Sequence, residues 1–204
     1  MRISPISALL LPWILVACRA TNPVQDDSPS AADALRATLE LAVARAPFDH
    51  VEASWKERLE QPYVFLELRG SYAQTGRAFP ELRERMRTLG IEPAGPPFAL
   101  YYDDPGQVAA SELRSRACVP VESDVEVQAP LGFDLSPSAT VAYAFVSGAY
   151  PEVPRAYPQL FKYLEHMGWA ADGPIREIYL VPPGSVRDWS QLVCEVQIPA
   201  ARAR

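Results

Sequence analysis

The chain has 204 residues, of which 49% are hydrophobic and 22% are charged, and its formal net charge at pH 7 is −6. This length and apolar content suffice for one domain with a sizeable core, or for two small modules that share one. The excess of acidic residues and the lack of a Lys/Arg cluster exclude the basic surface that nucleic-acid binding requires, so no nucleic-acid partner is expected.

The first seventeen residues have the pattern of a targeting signal. Arg2 provides a positive end, and the apolar run ALLLPWILVA, residues 8–17, is too short to span a bilayer stably. Cys18 follows, and the stretch LVAC resembles the lipobox of bacterial lipoproteins, in which the cysteine is acylated and becomes the mature N-terminus. The sequence therefore predicts a lipoprotein signal peptide over residues 1–17 and lipidation of Cys18. An ordinary secretory signal with an unrelated cysteine is the alternative.

Lipidation at this position predicts a location in the cell envelope. The protein would be anchored to a membrane through its N-terminal acyl chains, on the periplasmic face. The residue after the lipidated cysteine is Arg19 rather than an acidic residue. This favours sorting of the lipoprotein to the outer membrane if the cell has two membranes.

A tether and a leading helix are predicted before the main domain. Residues 18–30 are polar and interrupted by prolines, which is typical of a flexible linker. Residues 31–46 carry apolar side chains at helical spacing, with Ser30 available as the N-cap. We therefore expect a leading helix within residues 31–49 and a main domain over residues 50–200.

The main domain contains an internal repeat, which becomes visible when the chain is shifted against itself by about 78 residues. Several coincidences at one offset, many of them at glycine and proline, indicate two copies of one supersecondary unit. The modules would span about residues 50–121 and 122–200. The coincident pairs include Gly70 and Gly148, Tyr72 and Tyr150, Pro80 and Pro158, Gly90 and Gly168, and Tyr101 and Tyr179.

Each copy has the pattern of a strand, a helix and two further strands. The strands are rich in β-branched and aromatic residues, the helices show apolar spacing of three to four, and Gly90 and Gly168 stop the helices. The predicted strands are 63–70, 97–103 and 113–121 in the first copy, and 140–148, 176–181 and 192–198 in the second. The sequence therefore predicts an α+β fold of two pseudo-twofold-related modules that face each other across a groove.

Two cysteines remain in the main domain. An oxidising compartment would permit a disulfide between Cys118 and Cys194, and two free buried thiols are the alternative. The repeat places the two cysteines an odd number of residues apart within equivalent strands, so they would point to opposite faces. Strand parity therefore argues mildly against a bridge.

An acidic residue lies inside the apolar strand of GPIREIYLVPP, residues 173–183. Burial of an ionised carboxylate costs several kcal/mol, so Glu177 is either paired, exposed or used in function. Strand alternation puts it on the same face as Tyr179, and the repeat makes Ala99 its counterpart. The groove would thus hold one acid. Pairing with an arginine such as Arg176 on an exposed edge is the alternative.

These motifs resemble the GyrI-like small-molecule-binding domain, also known as the effector-binding domain of AraC-type regulators. The resemblance rests on GPPFALYYDDP, CVPV, SGAYPEVPRAYPQLFKYLEHMGW, GPIREIYLVPP and VQIP, and it covers roughly residues 50–200. It implies two modules around a groove that binds amphipathic, often cationic or aromatic, small molecules. It also implies a glutamate two residues before a tyrosine at the floor of the groove, which matches Glu177 and Tyr179.

The resemblance leaves two functions open. The first is binding of a small molecule with Glu177 as counter-charge, and the second is hydrolysis of a reactive cyclopropane-bearing compound with the same residue as general acid or base. The helix at 31–46 has no helix-turn-helix partner, so transcriptional control is not implied.

Further aromatic residues are candidates for the groove. Tyr101 is the repeat counterpart of Tyr179, and Tyr72 and Tyr150 follow the glycines that close the first strand of each copy. Trp169 and Trp189 are candidate walls or lids; packing in the core is the alternative for each aromatic residue except Tyr101. No metal site and no cofactor are predicted, since the two histidines, His50 and His166, lack ligand spacing.

Overall fold

The computed structural model of the chain describes residues 35–203 with the exception of residue 37. The predicted signal peptide, the lipidation site at Cys18 and the tether lie outside the described residues. No helix among the described residues is both long enough and apolar enough to cross a bilayer.

The described residues form ten strands and two α-helices, joined by turns and four short 3₁₀ segments. The helices are α1 (Thr75–Thr88) and α2 (Tyr157–His166). The strands are β1 (Ala44–Arg45), β2 (Ser54–Arg58), β3 (Gln61–Arg69), β4 (Phe98–Tyr101), β5 (Arg114–Pro120), β6 (Leu131–Ser136), β7 (Ala139–Ser147), β8 (Trp169–Ala171), β9 (Ile175–Tyr179) and β10 (Val193–Arg202). The 3₁₀ segments are Tyr72–Gln74, Tyr150–Ala156, Pro183–Ser185 and Trp189–Gln191.

The strands lie in one sheet with the order β1-β7-β10-β9-β4-β5-β3-β6, while β2 pairs with β7 and β8 pairs with β10. The first repeat is β3-α1-β4-β5 and the second is β7-α2-β9-β10. This arrangement confirms the predicted α+β fold and the predicted sequence of elements in each module. The two modules meet where β4 and β9 pair in the middle of the sheet.

The register of this central pair places the pseudo-twofold axis at Glu177. In the antiparallel ladder Ala99 lies opposite Glu177, and these two residues are also 78 positions apart, which is the repeat offset. Phe98 pairs with Ile178, and Leu100 pairs with Arg176. The same offset makes Arg176 the repeat counterpart of Phe98, and Ile178 that of Leu100, so the axis relates one pair to the other. The duplicated sequence therefore brings one position of each copy face to face at the centre of the sheet.

The two helices cover one face of the sheet. Four of their apolar side chains are almost fully buried against that face: Leu82, Met86, Leu160 and Leu164. Gly90 and Gly168 each follow the helix C-cap with φ of +68°, which is the left-handed conformation that glycine adopts without strain. The predicted helix stops are thereby confirmed.

The sheet bends toward the face that the helices do not cover, and we call this side the curled face. Its core includes Tyr63, Phe98 and Leu100. The guanidinium of Arg176 in β9 donates to Oε1 of Gln61 in β3, although β4 and β5 separate these strands in the sheet. Three strand spacings measure about 14 Å in a flat sheet, so the sheet must bend toward this face to bring the two side chains together.

The leading helix differs from the prediction. Residues 35, 36 and 38 are helical, but residues 39–43 are not, and β1 (Ala44–Arg45) pairs in parallel with Val146 and Ser147 of β7. The prediction of a helix as far as residue 46 is therefore wrong. Backbone pairing with β7 and burial of Ala44 outweigh the weak local helix propensity of this segment.

The two cysteines of the domain are free and buried. Cys118 belongs to the core on the curled face, and Cys194 belongs to the core under the helices. The strand parity derived from the repeat therefore holds, and the alternative of two free thiols is the one that the structure contains.

Candidate functional site

Glu177 lies on the helix-covered face at the centre of the sheet. Strand β9 presents it between Ala99 of β4 and Val196 of β10, whose small side chains leave room for the carboxylate. Only 1% of the residue is exposed. A strand at this position is covered on both faces, which explains why its sequence is apolar except for the charged pair Arg176 and Glu177.

Tyrosine hydroxyl groups bind both oxygens of this carboxylate. Tyr157 donates to Oε1 at 2.5 Å, and Tyr179 donates to Oε2 at 2.9 Å. The hydroxyl groups of Tyr101 and Tyr179 are 3.2 Å apart. Because Tyr179 uses its proton toward Glu177, Tyr101 is the donor in this contact. Three tyrosines thus form a hydrogen-bond network that ends at one carboxylate.

Glu177 forms no ion pair with a described residue. Its neighbour in sequence, Arg176, points to the curled face and contacts Gln61 and the ring of Phe98 instead. The alternative of a surface pair between Glu177 and Arg176 is therefore wrong, because strand alternation separates the two side chains by the thickness of the sheet. The carboxylate is neither exposed nor paired.

Burial raises the pKa of Glu177 to about 7, while the hydrogen bonds from Tyr157 and Tyr179 act in the opposite direction. Burial and the nearby carboxylate raise the pKa of each of these tyrosines well above its usual value, so both hydroxyl groups remain donors at neutral pH. The carboxyl group therefore changes its charge within the physiological pH range.

Two further tyrosines, which are repeat counterparts of each other, pack on this hydrogen-bond network. The ring of Tyr72 lies 4.8 Å from that of Tyr101, and the ring of Tyr150 lies 4.5 Å from that of Tyr179, between centroids. Their hydroxyl groups donate to backbone carbonyls that are also one repeat apart, those of Asp103 and Val181. The sequence placed Tyr72, Tyr101, Tyr150 and Tyr179 together with Glu177, and the structure brings them together.

Sequence reasoning missed two members of the site, Phe79 and Tyr157. They lie at equivalent positions in α1 and α2, since 79 plus the 78-residue offset is 157. Phe79 packs edge-on against Tyr179 with a centroid distance of 5.5 Å. The repeat offset itself was the signal that could have found them, because it makes the two residues equivalent.

These helix residues decide how accessible the carboxylate is. The sequence predicted a groove with Glu177 at its floor, and the structure shows that floor covered by aromatic rings. The rings themselves are only half-buried at Tyr72, Tyr101, Tyr150 and Tyr157. Aromatic surface is thus open to solvent above a carboxylate that is not.

The two tryptophan candidates lie elsewhere. Trp169 in β8 packs edge-on against Trp55 at a centroid distance of 6.1 Å. It pairs with Arg202, six positions along β10 from the residue that pairs with Glu177, or about 20 Å along the strand. Trp189 is 63% exposed, in the 3₁₀ segment Trp189–Gln191.

Among the described residues no three His, Cys, Asp or Glu side chains are grouped so that they could hold a metal ion.

Comparison with known proteins relates this geometry to a family. The family model of the GyrI-like small molecule binding domain matches residues 52–201 of the chain. No curated protein sequence matches the chain.

Solved structures share the fold at low identity. The C-terminal domain of EcmrR matches with a TM-score of 0.65 at 18% identity, over 75% of this chain and 99% of that domain. In the EcmrR–DNA complex the TM-score is 0.68 at 18% identity, and the match covers 75% of this chain but 58% of the EcmrR chain. This chain therefore spans less than two thirds of that protein.

Two further solved structures share the fold. The structure of SAV2435 bound to tetraphenylphosphonium matches with a TM-score of 0.51 at 12% identity, over 74% of this chain and 94% of that chain. A hydrolase from Listeria innocua matches with a TM-score of 0.52 at 9% identity, over 74% and 92% of the two chains. At these identities the likeness shows the fold alone.

The hydrogen bond from Tyr157 predicts a measurable change at the carboxylate. Replacing Tyr157 by Phe removes a donor that favours the ionised form, so the pKa of Glu177 should rise above its value of about 7. A hydrogen bond to a charged acceptor contributes about 1.5 to 3 kcal/mol, which makes the change large enough to resolve. Titration of the Glu177 carboxyl carbon by NMR measures it.

The control is Tyr150→Phe, which removes a tyrosine hydroxyl group whose acceptor is the carbonyl of Val181 rather than the carboxylate. This variant should leave the pKa of Glu177 close to that of the unaltered protein. An unchanged or lowered pKa in Tyr157→Phe would contradict the assigned contact.

Proposed function

Because the chain belongs to the GyrI-like small molecule binding domain family, we propose that it binds an amphipathic, aromatic cation above the centre of its sheet, with Glu177 as counter-charge. The observation that carries this proposal is a buried carboxylate, surrounded by tyrosine rings, that has no cationic partner among the described residues. A ligand that supplies the positive charge would complete the site.

Electrostatics favour a cation over a neutral ligand. The ionised carboxylate is destabilised by burial, as its raised pKa indicates, and a positive charge brought close to it offsets that cost. The rings of Tyr72, Tyr101, Tyr150 and Tyr179 add faces on which a cation or an aromatic group can stack, and each such contact contributes roughly 0.5 to 2 kcal/mol.

Access to the carboxylate requires a local movement of the ring of Tyr157. Its hydroxyl group donates to Oε1 of Glu177. Tyr157 is the first residue of α2 and is not part of the sheet. Displacement of this one side chain exposes the carboxylate while Tyr179 keeps its bond to Oε2. Binding by displacement of a single ring is consistent with tyrosines that are half-buried at the rim.

The fold comparison supports this class of ligand. SAV2435, whose structure resembles this chain, was solved with tetraphenylphosphonium, a cation with four aromatic groups. Such a cation has no hydrogen-bond donor, so recognition depends on charge and on stacking. Both are available at the site described above.

Tetraphenylphosphonium tests the proposal directly. It should raise the melting temperature of the full chain, and more at pH 8 than at pH 6, because Glu177 with a pKa of about 7 becomes ionised between these values. Glu177→Gln should abolish both the increase and its pH dependence. Differential scanning fluorimetry gives the midpoint, and calorimetry at the two pH values gives the affinity.

Two controls separate charge recognition from general effects. Glu195→Gln removes one acidic charge from the opposite face of the same sheet, where Glu195 pairs with Lys56 at 2.7 Å, and it should leave binding unchanged. Triphenylphosphine oxide, a neutral aromatic compound of similar size, should bind more weakly than the cation. Equal binding of the cation by Glu177→Gln and the unaltered protein would refute the role of Glu177.

A hydrolase is the second candidate function. A carboxyl group with a pKa of about 7 serves both as acid and as base at neutral pH, and a protein of similar fold from Listeria innocua is described as a hydrolase. On this proposal the chain would cleave a cyclopropane-bearing electrophile, and Glu177→Gln would slow turnover by about 100-fold. Mass spectrometry of the product measures it. Ligand binding without turnover would rule this candidate out in favour of binding.

We further propose that the domain is held at a membrane outside the cytoplasm by acylation of Cys18. The support is the LVAC motif at the end of the apolar leader. In bacteria grown with labelled palmitate, the chain should incorporate the label and fractionate with membranes, and Cys18→Ser should lose both properties. Cys118→Ala, which removes a buried cysteine of the domain, should retain them. Unlabelled protein in the soluble fraction would contradict lipidation.

A further inference from the structure

A cavity opens on the curled face of the sheet, on the side away from Glu177. Its volume is about 230 Å³. Leu100, Pro174 and Pro199 form part of its wall, together with the rings of Tyr63 and Tyr102. These side chains offer an apolar surface for a compact ligand, since drug-sized ligands occupy pockets of about 300 Å³ or more.

Arginine side chains lie at this cavity, which Asp134 and Asp172 also line. Arg58 lines it, and Arg176 is 3% exposed and pairs in the sheet with Leu100 of the cavity wall. Arg176 donates to Gln61, which follows Arg58 by three residues in the chain. Burial and then the positive charge of Arg58 lower the pKa of Arg176 to about 10.

Neither arginine has an acidic partner among the described residues. Arg58 donates to the carbonyl of Pro137 at 3.1 Å, and Arg176 donates to Gln61 and stacks on Phe98. Nε of Arg58, together with Nε and Nη1 of Arg176, is buried without a hydrogen-bond acceptor. Unsatisfied donors on buried cations are costly, and an anion that accepted from such a donor would offset that cost.

The acidic groups at the cavity do not supply that anion. Asp134 forms an ion pair with Arg116 at 2.7 Å and accepts a further hydrogen bond from Tyr63. Asp172 is exposed at the rim, and Glu195 on the same face pairs with Lys56. Arg58 and Arg176 therefore form no ion pair with a described acidic residue, although the charge of Glu195 acts on Arg176.

We propose that this cavity binds a small carboxylate with a compact apolar or aromatic body. The carboxylate accepts from the guanidinium of Arg58, with the charge of Arg176 behind the wall, and the body contacts the leucine, proline and tyrosine side chains. Arginine suits this task because its planar donors match the two oxygens of a carboxylate. The domain would then have a cation site on one face of its sheet and an anion site on the other.

Benzoate is a suitable probe, because it combines a carboxylate with a ring that fits the measured volume. At millimolar concentration it should raise the melting temperature of the full chain by about 3 °C, and Arg58→Gln should weaken its binding about tenfold or more. Arg83→Gln, which removes an exposed arginine of α1, should bind benzoate normally. Glu177→Gln should also bind it normally, which separates this site from the cation site.

Three comparisons complete the test. Benzamide, which has the same ring without the charge, should give no increase, and inorganic sulfate should give a smaller one than benzoate, because it lacks the apolar body. Arg176→Met should fold and bind benzoate more weakly than the unaltered protein. Equal stabilisation by benzamide, equal stabilisation by sulfate, or full benzoate binding by Arg58→Gln would each overturn the proposal.

Discussion

The antiparallel pairing of β4 with β9 determines the rest of this molecule. It joins the two copies of the repeat and makes equivalent residues, Ala99 and Glu177, direct neighbours at the centre of the sheet. A symmetric pair of acids here would place like charges in contact within an apolar interior, which is strongly unfavourable. The alanine removes that conflict and provides the space for a single carboxylate. The asymmetry of the site is therefore a condition for burying a charge on the axis.

The remainder of the site follows from the duplication. Each module contributes a tyrosine in its second strand, a tyrosine after its first strand and an aromatic residue in its helix, and these six residues form one set of contacts around Glu177. The copies differ where the chemistry requires it. Tyr157 carries a hydroxyl group that reaches the carboxylate, and its counterpart Phe79 has none.

Strand alternation divides the charges of β9 between the two faces of the sheet. Arg176 and Glu177 are adjacent in sequence, yet the first lies on the curled face and the second lies under the helices. Both are buried, and neither forms an ion pair with a described residue. Because the sheet separates them, neither can neutralise the other.

The sequence by itself determined the elements, their order and the position of Glu177 beside Tyr179 on one face of its strand, because apolar periodicity, glycine stops and a 78-residue repeat are visible in the chain itself. It also indicated four of the tyrosines that the structure brings together around Glu177. Only the tertiary structure decided that residues 44–45 form a strand, that Trp169 packs on Trp55, that Tyr157 covers the carboxylate and that Arg58 lines a cavity on the curled face. These features depend on how the sheet curls and how the helices lie across it, and contacts between distant segments leave no periodic trace in the chain.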